Sequence, residues 1–131
     1  MPVRGIRGAI DVARNGKEEI LSRTGELLRA MVRANRVKAD DVAAAIFSLT
    51  PDLDAEFPAI AARRMGWADV PLMCASELGV PKGMKKVVRI LLLVNTAVPS
   101  GRIKHQYLGK TPALRPDLAR PRSLKHRRGR K

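Results

Sequence analysis

An apolar run in the second half of the chain reads KVVRILLLVNT over residues 86–96. It is short and rich in valine, isoleucine and leucine, and turn residues follow it, which is typical of a strand buried inside a sheet. A second run of the same kind covers residues 42–50 and predicts a neighbouring strand. Weaker patterns predict further strands over residues 3–10, 69–74 and 105–108.

Helical periodicity is clearest over residues 17–34. An apolar stripe is formed there by residues spaced three and four apart: Ile20, Thr24, Leu27, Leu28 and Met31. Asn15 is the expected N-cap of this long helix. A short helix is predicted within residues 57–66, because Pro58 comes early in the segment and Gly66 late.

These elements predict an α+β fold, with a mixed sheet of about five strands and one long helix on one face. One helix does not cover both faces of such a sheet. The second face is therefore expected to meet another subunit, which makes the chain a homo-oligomer.

The charge of the chain is unevenly distributed. The 131 residues contain 26 Lys and Arg and 12 Asp and Glu, so the net charge is 26 − 12 = +14. Seven of the cations and none of the acids fall in residues 119–131, which leaves +7 for the first 118 residues. We expect one folded domain over residues 1–118 and a basic tail over residues 119–131 that is disordered when free.

Several classes of protein are excluded by composition. A single cysteine, Cys74, allows no intrachain disulfide and no multi-cysteine metal site, and no metal or cofactor is expected. Arg89 interrupts the longest apolar run, so no membrane span is expected. The first ten residues contain two arginines and no continuous apolar segment, which favours the cytoplasm over secretion. Aromatic residues make up only 3%, too few for a sheet that stacks RNA bases.

Three arginines are candidates for binding an anion. Arg89 lies inside an apolar strand pattern, where a guanidinium needs an anion or access to water. The pattern alone leaves open whether Arg89 faces a ligand or solvent, and the same holds for Arg7 between Ile6 and Gly8. Arg115, in a predicted loop, is on its own better explained by a surface charge.

Two further residues have both a chemical and a structural interpretation. As a nucleophile Cys74 has no credible partner, since His105 is distant in sequence, and a buried structural thiol is the simpler interpretation. An exposed carboxylate in a turn is likewise the simpler interpretation of Glu77. Residues 79–86, GVPKGMKK, lack the Gly-Lys-Ser/Thr ending of a phosphate loop. The residues alone therefore predict an anion site near a strand arginine and name no substrate.

Short motifs in a fixed order sharpen this prediction. They are RGIRGA at 4–9, TPDL at 50–53, FPA at 57–59, GW at 66–67, VP at 70–71, Cys74 with Glu77, VR at 88–89 and LRPDL at 114–118. In this order and spacing the sequence resembles the monofunctional, trimeric α/β class of chorismate mutase over residues 3–118. The resemblance implies a trimer that forms a pseudo-α/β-barrel. It also implies an isomerase that converts chorismate to prephenate by a [3,3] Claisen rearrangement, on the route to phenylalanine and tyrosine.

The resemblance also implies roles for individual residues. Arg89 is expected to donate to the ether oxygen of the breaking C–O bond, and Glu77 to accept from the substrate hydroxyl with Cys74 nearby. Arg7 and Tyr107 are expected to bind a carboxylate, and Arg115 to close the pocket. The remaining lining, across a subunit boundary, is expected from Phe57, Ala59, Arg63, Met73 and Leu114. A pericyclic reaction needs positioning and fixed charges, so no cofactor or metal is implied.

Two departures and two alternatives accompany this interpretation. Ile60 stands where the family often has a lysine, and Met73 where it has a small polar residue. The basic tail has no counterpart in the family motifs. One alternative is a nucleic-acid or anionic-surface binding module that uses this tail. The other is a catalytically inactive homologue with an interaction role.

Overall fold

The computed structural model describes residues 1–119. The predicted tail over residues 119–131 lies outside this range except for its first residue. Eight helices and strands follow one another along the described chain: β1 Val3–Asp11, α1 Lys17–Asn35, β2 Val42–Leu49, α2 Ile60–Arg64, β3 Leu72–Ser76, β4 Val87–Asn95, β5 Gln106–Tyr107 and α3 Pro116–Ala119. None of the helices in this part of the chain has the length and apolar content needed to cross a membrane.

The five strands form one mixed sheet in the order β3-β2-β4-β1-β5. The central strand, β4, pairs antiparallel with both β1 and β2, whereas β3 and β5 pair in parallel at the two edges. The predicted α+β fold with about five strands is confirmed, and so is the interior position of the apolar run over residues 86–96.

Helix α1 covers one face of the sheet. Its apolar stripe is fully buried and packs with the alternate residues of β4, among them Val88 and Ile90. Gly8 of β1 faces this helix, and a Cβ atom at that position would overlap the thioether of Met31. The absence of a side chain at Gly8 therefore lets helix and sheet approach closely.

The other face of the sheet exposes large apolar side chains. Val3 is 53% exposed, Met73 61% and Leu91 36%. Each belongs to the set of strand residues that alternate with the buried ones. A surface of this kind is what the sequence predicted for a face that meets another subunit.

Two local predictions are wrong. Helix α1 has Gly16 as its N-cap, with no side-chain cap hydrogen bond. The side chain of Asn15 is bound elsewhere: its Oδ1 accepts the backbone N–H groups of Asp54 and Ala55, each at 3.0 Å. The strand predicted over residues 69–74 lies over 72–76 instead, because its pairing with β2 begins at Leu72, opposite Ala45.

Candidate active site

Arg89 lies at the centre of the sheet on the face opposite α1. Its strand neighbours Val88 and Ile90 are buried under the helix, so the alternation of the strand turns Arg89 to the open face. One row of paired residues crosses all five strands at this level, namely Ala75, Ser48, Arg89, Ala9 and Tyr107. The arginine side chain is 40% exposed, so it has access to a ligand from solution.

The anion that Arg89 meets within the chain is Glu77. This residue follows β3, and its backbone N–H donates to the carbonyl of Leu49 at 2.8 Å. The Nε–H of Arg89 is shared between both carboxylate oxygens of Glu77, at 3.1 Å each, and the Glu77 side chain is 19% exposed. The hydroxyl of Ser48 donates to Oε2 of the same carboxylate. A strand arginine and a carboxylate thus form one hydrogen-bonded group.

The outer end of the Arg89 guanidinium remains available. Among residues 1–119, all hydrogen bonds of this side chain are made by Nε, and the two terminal amino groups have no partner there. Those groups offer planar, permanently charged donors that suit a carboxylate or a developing oxyanion. The site can therefore stabilise negative charge on a bound molecule while Glu77 accepts a hydrogen bond.

Arg7 and Tyr107 lie on the two strands beyond Arg89. Tyr107 of β5 pairs with Ala9, and Arg7 is two residues before Ala9 on the same face of β1. Arg7 and Arg89 are therefore diagonal neighbours on adjacent strands. Such residues have Cα atoms about 7–8 Å apart, so Arg7 and Arg89 can bind the same ligand. The backbone N–H of Arg7 also donates to Nδ1 of His105 at 2.9 Å, which ties the start of β5 to β1.

The segment that carries Arg115 is fastened to β1. The hydroxyl of Thr111 donates to the carbonyl of Ala9 at 3.0 Å, and the backbone N–H of Lys110 donates to Asp11 Oδ1 at 2.8 Å. Arg115 itself donates through Nε and one terminal amino group to Asp117, at 3.1 and 2.9 Å. This fork lowers the pKa of Asp117 to about 2 and raises the pKa of Arg115.

The side chains of Thr50 and Asp52 hold the start of β4, three residues before Arg89, by hydrogen bonds that we call the bracket. Asp52 accepts the backbone N–H of Lys86 at 2.9 Å through Oδ2, and Thr50 donates to Oδ1 at 2.6 Å. Thr50 Oγ1 in turn accepts the N–H of Val87 at 3.0 Å. Lys86 has a φ of 54°, a left-handed conformation that side chains disfavour. The bracket therefore stabilises a strained entry into the strand that presents Arg89.

The other predicted site residues lie outside the hydrogen-bonded group of Arg89, Glu77 and Ser48. Phe57 is 68% exposed, Ala59 is buried and Arg63 is exposed; they belong to α2 and the loop before it, and α2 packs against α1. In the part of the chain that the structure describes, no hydrogen bond or ion pair joins them to Arg89 or Glu77. Met73 is exposed on the open face of β3, and Leu114 is half-buried just before Arg115.

Cys74 lies next to Met73 but on the opposite side of the strand. It is paired with the buried Phe47 and packs against the hydrophobic core while remaining partly exposed. The structure thus places its thiol with the core side chains rather than in the row of Arg89. Over residues 1–119, no three His, Cys, Asp or Glu side chains are grouped as metal ligands.

The whole folded part of the chain resembles a known protein family. The family described as chorismate mutase type I matches residues 3–118. The chain belongs to this family. The chorismate mutase AroH of Bacillus subtilis is 47% identical over 120 residues, which is 91% of this chain and 94% of that protein. AroH of Thermus thermophilus is 47% identical over 117 residues, 88% of this chain and 96% of that protein.

A solved structure agrees with the sequence comparisons. A chorismate mutase from Clostridium thermocellum superposes with a TM-score of 0.82 at 44% sequence identity, covering 83% of this chain and 97% of that one. The chain is thus a chorismate mutase, an isomerase that converts chorismate to prephenate in phenylalanine and tyrosine biosynthesis. The nucleic-acid-binding alternative has no support from these comparisons.

Sequence reasoning missed three parts of this chorismate mutase site: Ser48, the bracket of Thr50 and Asp52, and the His105 contact. Ser48 left a weak signal, because it is a polar residue between Phe47 and Leu49 in a buried-strand pattern. The other two are contacts between distant segments, which leave no local pattern.

Proposed function

We propose that this chorismate mutase rearranges its substrate on the open face of the sheet, with Arg89 as the principal catalytic residue. Its terminal amino groups donate to the ether oxygen, where negative charge grows as the C–O bond breaks, and hold a substrate carboxylate. The observation that carries the proposal is that the inner and outer nitrogens of the Arg89 guanidinium have different partners. Nε is held by Glu77, while the outer donors have no partner among residues 1–119 and the side chain is 40% exposed. Such an oriented donor needs no reorganisation during the reaction.

The other polar residues are proposed to bind the remaining groups of the substrate. Glu77 accepts the ring hydroxyl, Arg7 and Tyr107 bind a carboxylate, and Arg115 closes the pocket. The order of the sheet supports these roles, since Arg7 and Tyr107 lie on β1 and β5, the first and second strands from β4, and on the open face. Cys74, whose thiol packs against the core on the other side of β3, is given no covalent step.

The enzyme is proposed to be a homotrimer whose sites lie at subunit boundaries. Exposed apolar residues on the open face support this, as do the exposed Phe57 and Arg63, which make no hydrogen bond or ion pair with Arg89 within residues 1–119. A neighbouring subunit then supplies the second part of the lining: Phe57, Ala59, Arg63, Met73 and Leu114. The catalytic domain is proposed to cover residues 1–118, in agreement with the extent of the family match. The proposed compartment is the cytoplasm, where a partly exposed thiol such as Cys74 stays reduced.

The catalytic role of Arg89 is tested by following chorismate disappearance in the ultraviolet with Arg89→Ala. Loss of one preorganised donor typically costs about 2.7–4 kcal/mol, so kcat should fall at least about a hundredfold. Arg33→Ala is the matched control, because Arg33 is an exposed arginine at the end of α1. Near-normal turnover of a folded Arg89→Ala enzyme would refute the role.

The shared site is tested by mixing two impaired variants and assaying them at a chorismate concentration below the KM of the Arg63→Ala enzyme. Arg89→Ala and Arg63→Ala, unfolded together at equal amounts and refolded, form hybrid oligomers. If each site takes Arg89 from one subunit and Arg63 from its neighbour, about a quarter of the sites regain both arginines. Activity near that fraction of wild type supports the proposal, whereas a mixture no more active than its parts contradicts it. Sedimentation analysis of the wild type gives the number of subunits.

A further inference from the structure

The carboxylate of Glu77 has a second donor besides Arg89. Ser48 Oγ donates to Oε2 at 2.5 Å, while Arg89 shares its Nε–H between Oε1 and Oε2 at 3.1 Å each. A serine hydroxyl carries a single proton, so this bond uses the whole donor capacity of Ser48. Within residues 1–119, Oε1 is left with the shared Arg89 contact alone.

The two partners in this bond differ in how firmly the fold holds them. Ser48 lies in β2, which has a neighbour on each side: Ser48 pairs with Arg89 in β4 and with Ala75 in β3. Glu77 lies one residue beyond β3 and leads into a surface loop, where Leu78 is 88% exposed. Ser48 is thus the fixed partner, and the Glu77 side chain is the one that needs orientation.

The bond with Ser48 distinguishes the two oxygens of Glu77. An N–H shared equally between the two oxygens holds the carboxylate through one donor on one strand. The Ser48 hydroxyl adds a second donor, from a different strand and to Oε2 alone, so two partners set the orientation of the carboxylate. Oε1 is then the oxygen with accepting capacity left for a ligand.

We infer that Ser48 is a positioning residue of the chorismate mutase reaction, which orients Glu77 so that Oε1 accepts the ring hydroxyl of the substrate. This inference rests on the role proposed above for Glu77. Ser48 does not touch the substrate and acts only through the carboxylate. Its removal is expected to lower kcat/KM by about ten- to a hundredfold, the effect of a misplacement of the order of an ångström in a site.

The test is a double-mutant cycle on kcat/KM with Ser48→Ala, Glu77→Ala and the double variant, each with a urea unfolding curve. Ser48→Thr keeps the hydroxyl and should recover most of the loss. Ser76→Ala is the matched control, because Ser76 is an exposed serine on the neighbouring strand that faces away from Glu77. In the Glu77→Ala background, Ser48→Ala should cost nothing further, since the group it orients is gone.

The outcomes separate the inference from the role on which it rests. If Glu77→Ala lowers kcat/KM strongly and Ser48→Ala leaves it unchanged, the inference is overturned and the role of Glu77 stands. An equal cost of Ser48→Ala with and without Glu77, or no recovery in a folded Ser48→Thr enzyme, would also overturn it. Unchanged activity in Glu77→Ala would overturn the role of Glu77 and the inference together. The inference is supported if Ser48→Ala lowers kcat/KM strongly, if this loss is absent in the Glu77→Ala background, and if Ser48→Thr recovers most of it.

Discussion

Removal of the Asp52 carboxylate should destabilise the enzyme in a pH-dependent way. Asp52 accepts the backbone N–H of Lys86 and the hydroxyl of Thr50 at the start of β4. A hydrogen bond to a charged group contributes about 1.5–3 kcal/mol, and the left-handed conformation that it holds at Lys86 costs about 1–2 kcal/mol by itself. Because Asp52 is only partly buried, we expect Asp52→Ala to lower the free energy of unfolding by about 2 kcal/mol at pH 7. Asp52→Asn, which keeps one acceptor, should lose about half of that.

The dependence on pH follows from the pKa of Asp52. Burial raises this pKa, but the hydrogen bonds from the Thr50 hydroxyl, its own backbone N–H and the Lys86 N–H outweigh burial, so it lies below the ordinary value of 3.8. A carboxylate with a lowered folded pKa stabilises the fold fully above its unfolded pKa, and this stabilisation is lost as the pH falls through the folded pKa. The difference between wild type and Asp52→Ala should therefore be constant from pH 7 to about 5 and shrink below about 4.

The assay is urea unfolding at a series of pH values and one fixed protomer concentration, since an oligomer's apparent stability depends on concentration. Shifts of other carboxylates, such as Asp117, cancel in the difference between the two proteins. Lys86→Gly is the matched control, because it keeps the N–H that Asp52 binds and removes the side chain that resists the positive φ. It should be neutral or stabilising. Equal unfolding curves for wild type and Asp52→Ala at pH 7, or a difference that persists unchanged in acid, would refute this reasoning.

Three further predictions concern other parts of the molecule. Gly8→Ala should lower the free energy of unfolding by about 1 kcal/mol, because its Cβ displaces the flexible thioether of Met31; Gly101→Ala, with open space around it, should stay within about 0.5 kcal/mol in the same urea assay. Cys74→Ser should change kcat only mildly, since no thiolate attack is involved, and complete inactivation would reopen a covalent mechanism. A chain ending at residue 118 should keep wild-type kcat and KM, and any salt-sensitive retention of nucleic acid by the full chain should disappear with the tail; retention by the shortened chain would assign it to the folded domain.

The elements that sequence reasoning predicted are those with strong local periodicity. Helix α1 was predicted within one residue at its end, and β4 within one residue at each end, because their apolar patterns are long and regular. The N-cap and the strand near residue 72 were mispredicted because distant partners decide them. Asn15 is bound by a loop about forty residues away, which no local preference for capping reveals.

The same distinction applies to the candidate site. Arg89 was identified because a charge inside an apolar strand needs an explanation, and the structure provides both Glu77 and access to solvent. The bond between Ser48 and Glu77 joins residues 29 apart in sequence and exists only through the register of β2, β3 and β4. Register over such distances is set by the packing of the whole sheet, so the hydroxyl could not be assigned to the carboxylate from the sequence.

The charges on the open face give a reason for a site completed by another subunit. In the proposed site, Arg89, Arg7 and Arg115 supply three positive charges, and two of them are engaged by carboxylates, Glu77 and Asp117. The formal balance within one chain is therefore 3 − 2 = +1, whereas chorismate carries two carboxylates. Addition of an exposed arginine such as Arg63 from a neighbouring chain raises the balance to +2, which matches the substrate. In the proposed site, a single chain supplies the donor for the breaking bond but lacks one charge to hold the dianion, and for that reason loss of Arg63 should raise KM far more than it lowers kcat.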